Sequence, residues 1–407
     1  MKLDLNDLLY SLSYALDCVE REIFGIKAHH SERVAYLCIR MAKTYHVEQT
    51  NLLHLAAAAV LHDNALTEYI SIRRRQLSHP TDAATNLPSP ELLKIHCEMG
   101  ERNAAILPFY EHIEKAILYH HENADGSGPF GMKHGNTPQF AQIIHLADLI
   151  DNVFDLTRVD EGMHQKIHAY LDRHAGRFFC PDLVRSFHQA FSQPIHLLLA
   201  DNTRHLIQQE LPHEPHQYDD AAIIGLATMF ARIIDYKSHF TCTHSLGIAQ
   251  KARRMGEYYG YDDEICTKLY LAGALHDIGK LTISNDILEK PSSLTADEFK
   301  IIKGHAQASW DILSRIAGLD DVVSWAALHH EKLNGRGYPF GKTAAELSKN
   351  DRLMGCIDIY QALTEPRPYK EGYSHEKAMS ILNGMGKNGF IDTAIVHDID
   401  MCFGTTS

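Results

Sequence analysis

The chain predicts an all-α fold of two tandem, related domains, and three observations carry that expectation. Apolar residues recur at helical spacing along nearly the whole length, while strand-type alternation is scarce. A set of metal-type ligands occurs twice in the same order: His30, His62, Asp63, His96, His120, His121 and Asp148, then His244, His276, Asp277, His305, His329, His330 and Asp358. Partner-to-partner offsets are 214 for the first three pairs, 209 for the next three and 210 for the last, the register of one fold repeated with one loop five residues (214 minus 209) longer in the first copy. A length of 407 residues with 45% apolar content is enough to build a core in each of two domains.

The elements follow from the N-terminus. Val34, Leu37, Cys38 and Met41 mark one face of a helix. A helix over Leu197 to Gln209 ends where two prolines interrupt Leu211–Tyr218, which sets the domains at 1–211 and 212–407. In the second half, Leu246, Ala249, Ala252, Met255 and Tyr258 repeat the helical face, and Thr295 with Glu298 has the spacing of a capping box that starts a new helix. A glycine-rich loop, Asn334 to Gly341, separates the His329–His330 segment from the helix carrying Asp358.

Composition excludes several classes. With 39 basic against 52 acidic residues the net charge is -13, which argues against binding duplex nucleic acid through a basic surface but suits a small anion held by metal ions. Eight scattered cysteines without a C-x-x-C pair are expected to be reduced core residues. No apolar run approaches the ~20 residues of a membrane span, and the first ten residues lack a signal pattern, so a cytoplasmic location without a membrane partner is expected. A homo-oligomer is compatible with the sequence.

Adjacent ligands such as His276–Asp277 and His329–His330 would point about 100° apart on a helix, suited to reaching two neighbouring ions. Asp277 can bridge both: His244, His276, Asp277 and Asp358 serve one ion, and Asp277, His305, His329 and His330 the other. Mixed imidazole and carboxylate ligands fit two divalent transition metals, with Fe, Mn or Ni preferred over Zn, and disfavour Mg or Ca. Such a pair generates a nucleophilic hydroxide in line with an electrophilic phosphorus, the chemistry of phosphodiester hydrolysis. Lys280, three residues after Asp277, can then meet the phosphate oxygens as charge builds, and both are the catalytic candidates.

Leu275-His-Asp-Ile-Gly-Lys280, His305, His329-His-Glu331, Gly335-Arg-Gly-Tyr-Pro339 and Arg367-Pro-Tyr-Lys370 closely resemble the HD-GYP phosphodiesterases, a branch of the HD hydrolase superfamily. The resemblance spans roughly Asp235 to Phe403. It implies HD-type helical domains and a metal centre that opens a cyclic dinucleotide, c-di-GMP or 3',3'-cGAMP, to a linear 5'-phosphorylated product. It also implies Tyr338 beside the nucleotide, with Arg367 and Lys370 contacting base or phosphate. Two departures stand out. Family members with three metals carry a Glu where this chain has Phe240, so two ions are expected. The family's Asp three residues after the last ligand is Gln361, which puts in doubt the positioning around Lys280 and leaves a non-catalytic cyclic dinucleotide sensor or scaffold as the alternative.

The first copy resembles the same domain after partial decay. All seven ligand positions survive and Asp151 keeps the second Asp, yet Leu66 stands where the lysine would be, and Gly126-Ser-Gly-Pro-Phe-Gly131 has no tyrosine. His30, His62, Asp63, His96, His120, His121 and Asp148 are therefore a second candidate metal site. A domain that binds metal without gripping phosphate is the main reading. A structural remnant and a second working hydrolase are the others. Glu331 is read either as an acceptor for an imidazole N–H or as facing solvent.

Overall fold

The computed structural model describes residues 1–24, 27–69, 90–158, 160–193, 200–211, 215–237, 243–290, 292–366 and 371–404. Helices dominate, and the only strands among the described residues are the two-residue segments β1 (Lys2–Leu3) and β2 (His216–Gln217), which pair with each other. The chain forms two compact units, Asp4–His216 and Gln217–Ser407, with Met1–Leu3 belonging to the second. No helix among the described residues is long and apolar enough to cross a membrane.

In the first unit α1 (Leu5–Phe24) packs on α2 (His30–Thr44) and α3 (Gln49–Val60), and α2 also meets α6 (Gln139–Val153) and α8 (Pro181–Ala190). Between them run α4 (Pro90–Ala104), the single turn α5 (Tyr110–Ile113) and α7 (Glu161–His174), and α9 (Ala200–Glu210) closes the unit against α2. The ligand-bearing helix α2 is buried almost all round, with Val34, Leu37, Ile39 and Met41 fully enclosed, so the site it carries is set inside the core.

The second unit repeats the plan. Here α10 (Asp220–Lys237) and α11 (His244–Tyr258) pack on α12 (Asp263–Leu275), whose Asp262 caps it by accepting from Ile265 N. A short 3-10 turn, Ile278–Thr282, and the single turn α13 (Asn285–Leu288) lead to α14 (Ala296–Leu313). That helix starts at the capping box formed by Thr295 and Glu298. Then come α15 (Asp320–Ala327), the glycine loop, α16 (Lys349–Thr364), α17 (His375–Lys387) and α18 (Thr393–Phe403). Six of the described cysteines are buried, Cys402 is half-exposed and none is in a disulfide.

Candidate metal centre

The ligand pairs sit at helix ends, not in mid-helix. The helix α12 stops at Leu275, so His276 and Asp277 occupy its C-terminus and the start of the 3-10 turn, and α15 stops at Ala327, just before His329 and His330. The expectation of two ligands about 100° apart on one helix is thereby corrected. The last turn of a helix leaves carbonyls unpaired. His276 Nδ1–H donates to Gly273 O at 2.8 Å and His329 Nδ1–H to Ala326 O at 2.6 Å, each satisfying one of them. Within α14, His305 Nδ1–H donates to Ile302 O at 2.6 Å. With Nδ1 protonated, each ring presents a bare Nε2 lone pair to the centre of the unit.

Those lone pairs converge. His276 Nε2 lies 3.1 Å from Asp277 Oδ2, His305 Nε2 3.3 Å from Asp277 Oδ1, and His305 Nε2 3.5 Å from His329 Nε2. His244 Nε2 is 3.5 Å from Asp358 Oδ1, and His330 Nδ1 is 3.8 Å from Asp358 Oδ2. Three overlapping groups have the spacing to hold a metal ion: His244, His276 and Asp358; His305, His329 and His330; and His276, Asp277 and His329, which joins the other two. His276 Nε2 and Asp277 Oδ1 are buried with no hydrogen-bond partner. An unpartnered imidazole nitrogen and carboxylate oxygen facing one point are costly unless a cation sits there, so the residues fit a divalent transition metal.

The electrostatics match. Burial would raise Asp277, but His276 and Lys280 outweigh it and hold its carboxyl well below the usual range. Burial lowers His305 to about 4 and, with His330 and His276 beside it, pushes His329 far down, which keeps both rings in the neutral, ligating form. Lys280 Nζ donates to Asp277 Oδ2 at 2.5 Å. Tyr338 lies on the glycine loop with its ring centroid 4.7 Å from that of His330. Beside it a cavity of about 330 Å³ opens, lined by His329, His330, Tyr338, Asp358, Arg352 and Phe390 among others. Arg367, Lys370 and Phe240 lie outside the described residues.

Three acids were not assigned these roles by sequence reasoning. Glu365, a turn beyond Gln361, accepts from His244 Nδ1 at 2.9 Å and from Thr243 Oγ1 at 3.2 Å. Gln361 accepts instead from Lys251 Nζ at 2.6 Å, so its expected influence on Lys280 is corrected: the partner of Lys280 is Asp277. Glu331 neither orients an imidazole nor faces solvent. It is buried and accepts from the backbone N–H groups of Phe340, Gly341 and Lys342 at 2.7, 3.0 and 3.0 Å, clamping the loop that carries Tyr338. Asp235 accepts from Ser245 N at 3.0 Å and Ser245 Oγ at 2.6 Å, pinning the start of α11 beside His244. A signal for Glu331 existed, since Glu122 stands beside the first histidine pair at the same offset of 209.

The first unit brings its own residues together. Asp63 with His96, His120 and His121, and His30 with His62 and Asp63, have metal-holding spacing. His62 Nδ1–H donates to Ala59 O at 2.7 Å and His120 Nδ1–H to Ile117 O at 2.5 Å, leaving both Nε2 atoms buried and unpartnered. His30 Nε2 lies 3.3 Å from Asp148 Oδ1, while its Nδ1–H donates to Asp151 Oδ2 at 2.7 Å. Leu66 is buried where Lys280 stands in the other unit, and His96 Nε2 approaches Asp63 Oδ1 at 2.8 Å. Glu122 clamps the shorter loop through the N–H groups of Phe130 and Met132, both at 2.5 Å.

One packing detail separates the copies. A Cβ at Gly279 would come 2.0 Å from His305 O, so the 3-10 turn lies directly on α14, and Ser309 Oγ bridges them by accepting from Gly279 N at 3.0 Å and donating to His276 O at 2.8 Å. The corresponding positions in the first unit are Ala65, fully buried, and Gly100. The small residue has changed sides of the seam.

Comparison with known proteins agrees with this geometry. Models of the HD domain match residues 28–153 and 228–395. The 3'3'-cGAMP-specific phosphodiesterase 1 of Vibrio cholerae serotype O1 is 28% identical over 398 residues, covering 95% of this chain and 90% of that protein. The 3'3'-cGAMP-specific phosphodiesterase 3 of the same organism is 31% identical, covering 72% of this chain and 63% of its own length. A probable cyclic di-GMP phosphodiesterase from that organism is 40% identical over 189 residues, 43% of each chain. A crystal structure of a cyclic GMP-AMP specific phosphodiesterase of V. cholerae (V-cGAP3) superposes with a TM-score of 0.66 at 24% identity, covering 100% of this chain and 99% of that one, and shows the shared fold. With two HD models matching in tandem, over each of its two histidine–aspartate clusters, this chain belongs to the HD-domain family.

Proposed function

We propose that the C-terminal domain, residues 212–407, is a metal-dependent phosphodiesterase that opens a cyclic dinucleotide to a linear 5'-phosphorylated product, and that the N-terminal domain, residues 1–211, has a structural or regulatory role. The observation that carries this reading is Asp277, whose two oxygens face His276 and His305 and so join two imidazole clusters with free Nε2 atoms. His244, His276, Asp277 and Asp358 would hold one divalent ion, and Asp277, His305, His329 and His330 the second, with Fe, Mn or Ni favoured by the ligand chemistry. Ions so bound would supply Lewis acidity and lower the pKa of water. Asp277 fixes the Lys280 ammonium at the edge of the cluster, where it stabilises negative charge growing on the phosphate oxygens. Glu365 holds the His244 ring with its Nε2 inward. Water adds to phosphorus and the 3' oxygen leaves, which keeps the phosphate on the 5' side. Tyr338, with Arg367 and Lys370, would bind the nucleotide, and the cavity beside His330 has room for part of it.

The favoured substrate is 3',3'-cGAMP. The relatives named for that nucleotide include one aligned over nearly the whole chain, whereas the c-di-GMP relative of highest identity covers less than half. With Glu365 partnering His244, no observation favours the sensor reading over the enzyme. The test is a chromatographic product trace with both nucleotides and protein loaded with Mn, Fe or Ni. Linear dinucleotide is expected, with 3',3'-cGAMP turned over faster. Tight binding without any linear product, or activity in protein free of transition metal, overturns the proposal.

A further inference from the structure

The reading just given assigns one of the ligand's two phosphates to no described residue. A cyclic dinucleotide carries two phosphodiesters on opposite sides of its macrocycle, and Asp277, Lys280 and the histidine cluster address only the one being cut. The other must be received by something at the mouth of the site, on a protein whose net charge is -13. Lys303 is placed to do this. It sits on α14 two residues before His305, and its ammonium is 4.7 Å from the ring centroid of Phe299, one helical turn back, and 5.3 Å from that of Tyr338 on the glycine loop. Tyr338 in turn lies 4.7 Å from His330 with the rings tilted by 45°, and meets His305 edge-on at 6.3 Å. The cation is thus two ring contacts from the metal-type ligands. Among the described residues no carboxylate pairs with it. Aromatic faces orient an ammonium without cancelling its charge, so it stays available to an anion. Phe299 is 49% exposed, a large apolar surface that is otherwise unexplained at this point of the helix.

The first unit shows what is particular here. Its corresponding cation, Lys94, lies 5.3 Å from the ring of Phe130, but Pro90 occupies the position of Phe299 and no residue matches Tyr338. A lysine is kept in both copies, and only the C-terminal one is held between two rings next to the cluster.

We propose that Lys303, seated on Phe299 and Tyr338, is a positioning and specificity residue that receives the second, uncut phosphate of a two-phosphate cyclic ligand. This rests on the cyclic dinucleotide reading of the same site. The test is titration calorimetry on metal-loaded full-length protein. Its ligands are the hydrolysis-resistant bis-phosphorothioate analogue of 3',3'-cGAMP and the single-phosphate dinucleoside ApG. Lys303→Met is expected to weaken the two-phosphate ligand roughly 10- to 100-fold, as for loss of a charge-assisted contact, with a much smaller effect on ApG. Lys303→Arg should recover most of the affinity, and Phe299→Ala should cause a smaller, similarly selective loss. Equal weakening of both ligands, or unchanged affinity in Lys303→Met at an unchanged melting temperature, overturns the inference while the enzyme reading stands. Failure of the unsubstituted protein to bind the cyclic analogue overturns both, and is read from that arm alone.

Discussion

The two units answer the same electrostatic problem in different ways. In the C-terminal unit the buried carboxylate of Asp277 has a fixed cation, Lys280, on one oxygen; burial keeps His305 and His329 neutral, while, against burial, Asp358 and Glu365 push His244 up to about 10. In the N-terminal unit Leu66 offers no charge, and Asp63 is held low against its own burial by His62 and His96 with help from His120. His30 is pushed up despite burial by Asp148 and Asp151, as its counterpart His244 is, whereas His120, unlike its counterpart His329, is pushed up despite burial by Cys97 and Asp63. One copy sets a lysine against its buried aspartate, while the other relies on histidines alone. The comparison teaches that this fold can keep a full set of ligand positions without the lysine beside the aspartate.

The largest expected effect breaks the comparison outright. Asp277→Ala should lower turnover on the order of 10³-fold or more and strip metal from the C-terminal unit, whereas Asp63→Ala should leave most turnover intact. Product chromatography with elemental analysis of each variant decides it. Loss of turnover in Asp63→Ala, with the fold and the C-terminal metals retained, would place catalysis in both units. Next in size, Lys280→Ala should keep its metals and lose about 10²-fold in kcat, while Leu66→Ala should leave the rate unchanged. A parallel loss of metal in Lys280→Ala would show that its charge serves the ligands and not the phosphate.

A smaller effect sharpens the role of the outer carboxylates. Glu365→Gln should reduce metal affinity or activity roughly 10- to 100-fold, and Asp151→Asn should reduce metal retention in the first unit to a similar degree with turnover preserved. Metal titration by competition with a chelator measures both. Smallest on rate is the loop clamp. Glu331→Ala leaves three backbone donors without their acceptor and should cost about 2 to 3 kcal/mol in denaturant unfolding of the C-terminal unit. Tyr338→Ala, on the same loop, should raise KM with little change in melting temperature. A Tyr338→Ala variant that melts early but binds normally would make the ring a packing residue.

Much of this was legible before any coordinates. Helical periodicity gave the fold class, because a 3.6-residue repeat survives wherever helices pack on a core. The doubled register singled out the side chains that converge in each unit, because two copies sampled the same constraint twice. What escaped depends on how helix ends meet. Glu365 reaches His244 only because α16 runs one turn past Gln361, so a rule tied to a three-residue spacing looked one turn too early. Glu331 seemed a companion of the imidazoles because it follows them in sequence, yet the chain leaves the helix at Ala327 and the side chain turns to the loop. The expectation that His329 and His330 sit within a helix failed for the same reason. Helix termini are the least certain part of a periodicity argument, and here they carry the two adjacent candidate pairs, His276–Asp277 and His329–His330.

The seam between the ligand turn and the following helix bears on how readily one copy could take the residues of the other. In the C-terminal unit the glycine is on the turn and the serine on the helix; in the first, Ala65 faces Gly100. A Cβ added at Gly100 alone would lie 3.0 Å from Ile117 Cγ2, and glycine at position 65 alone would leave a gap where a methyl group now packs. Neither change is harmless without the other. Each copy therefore holds its own pairing at this seam, and a single substitution toward the other meets resistance from packing already in place.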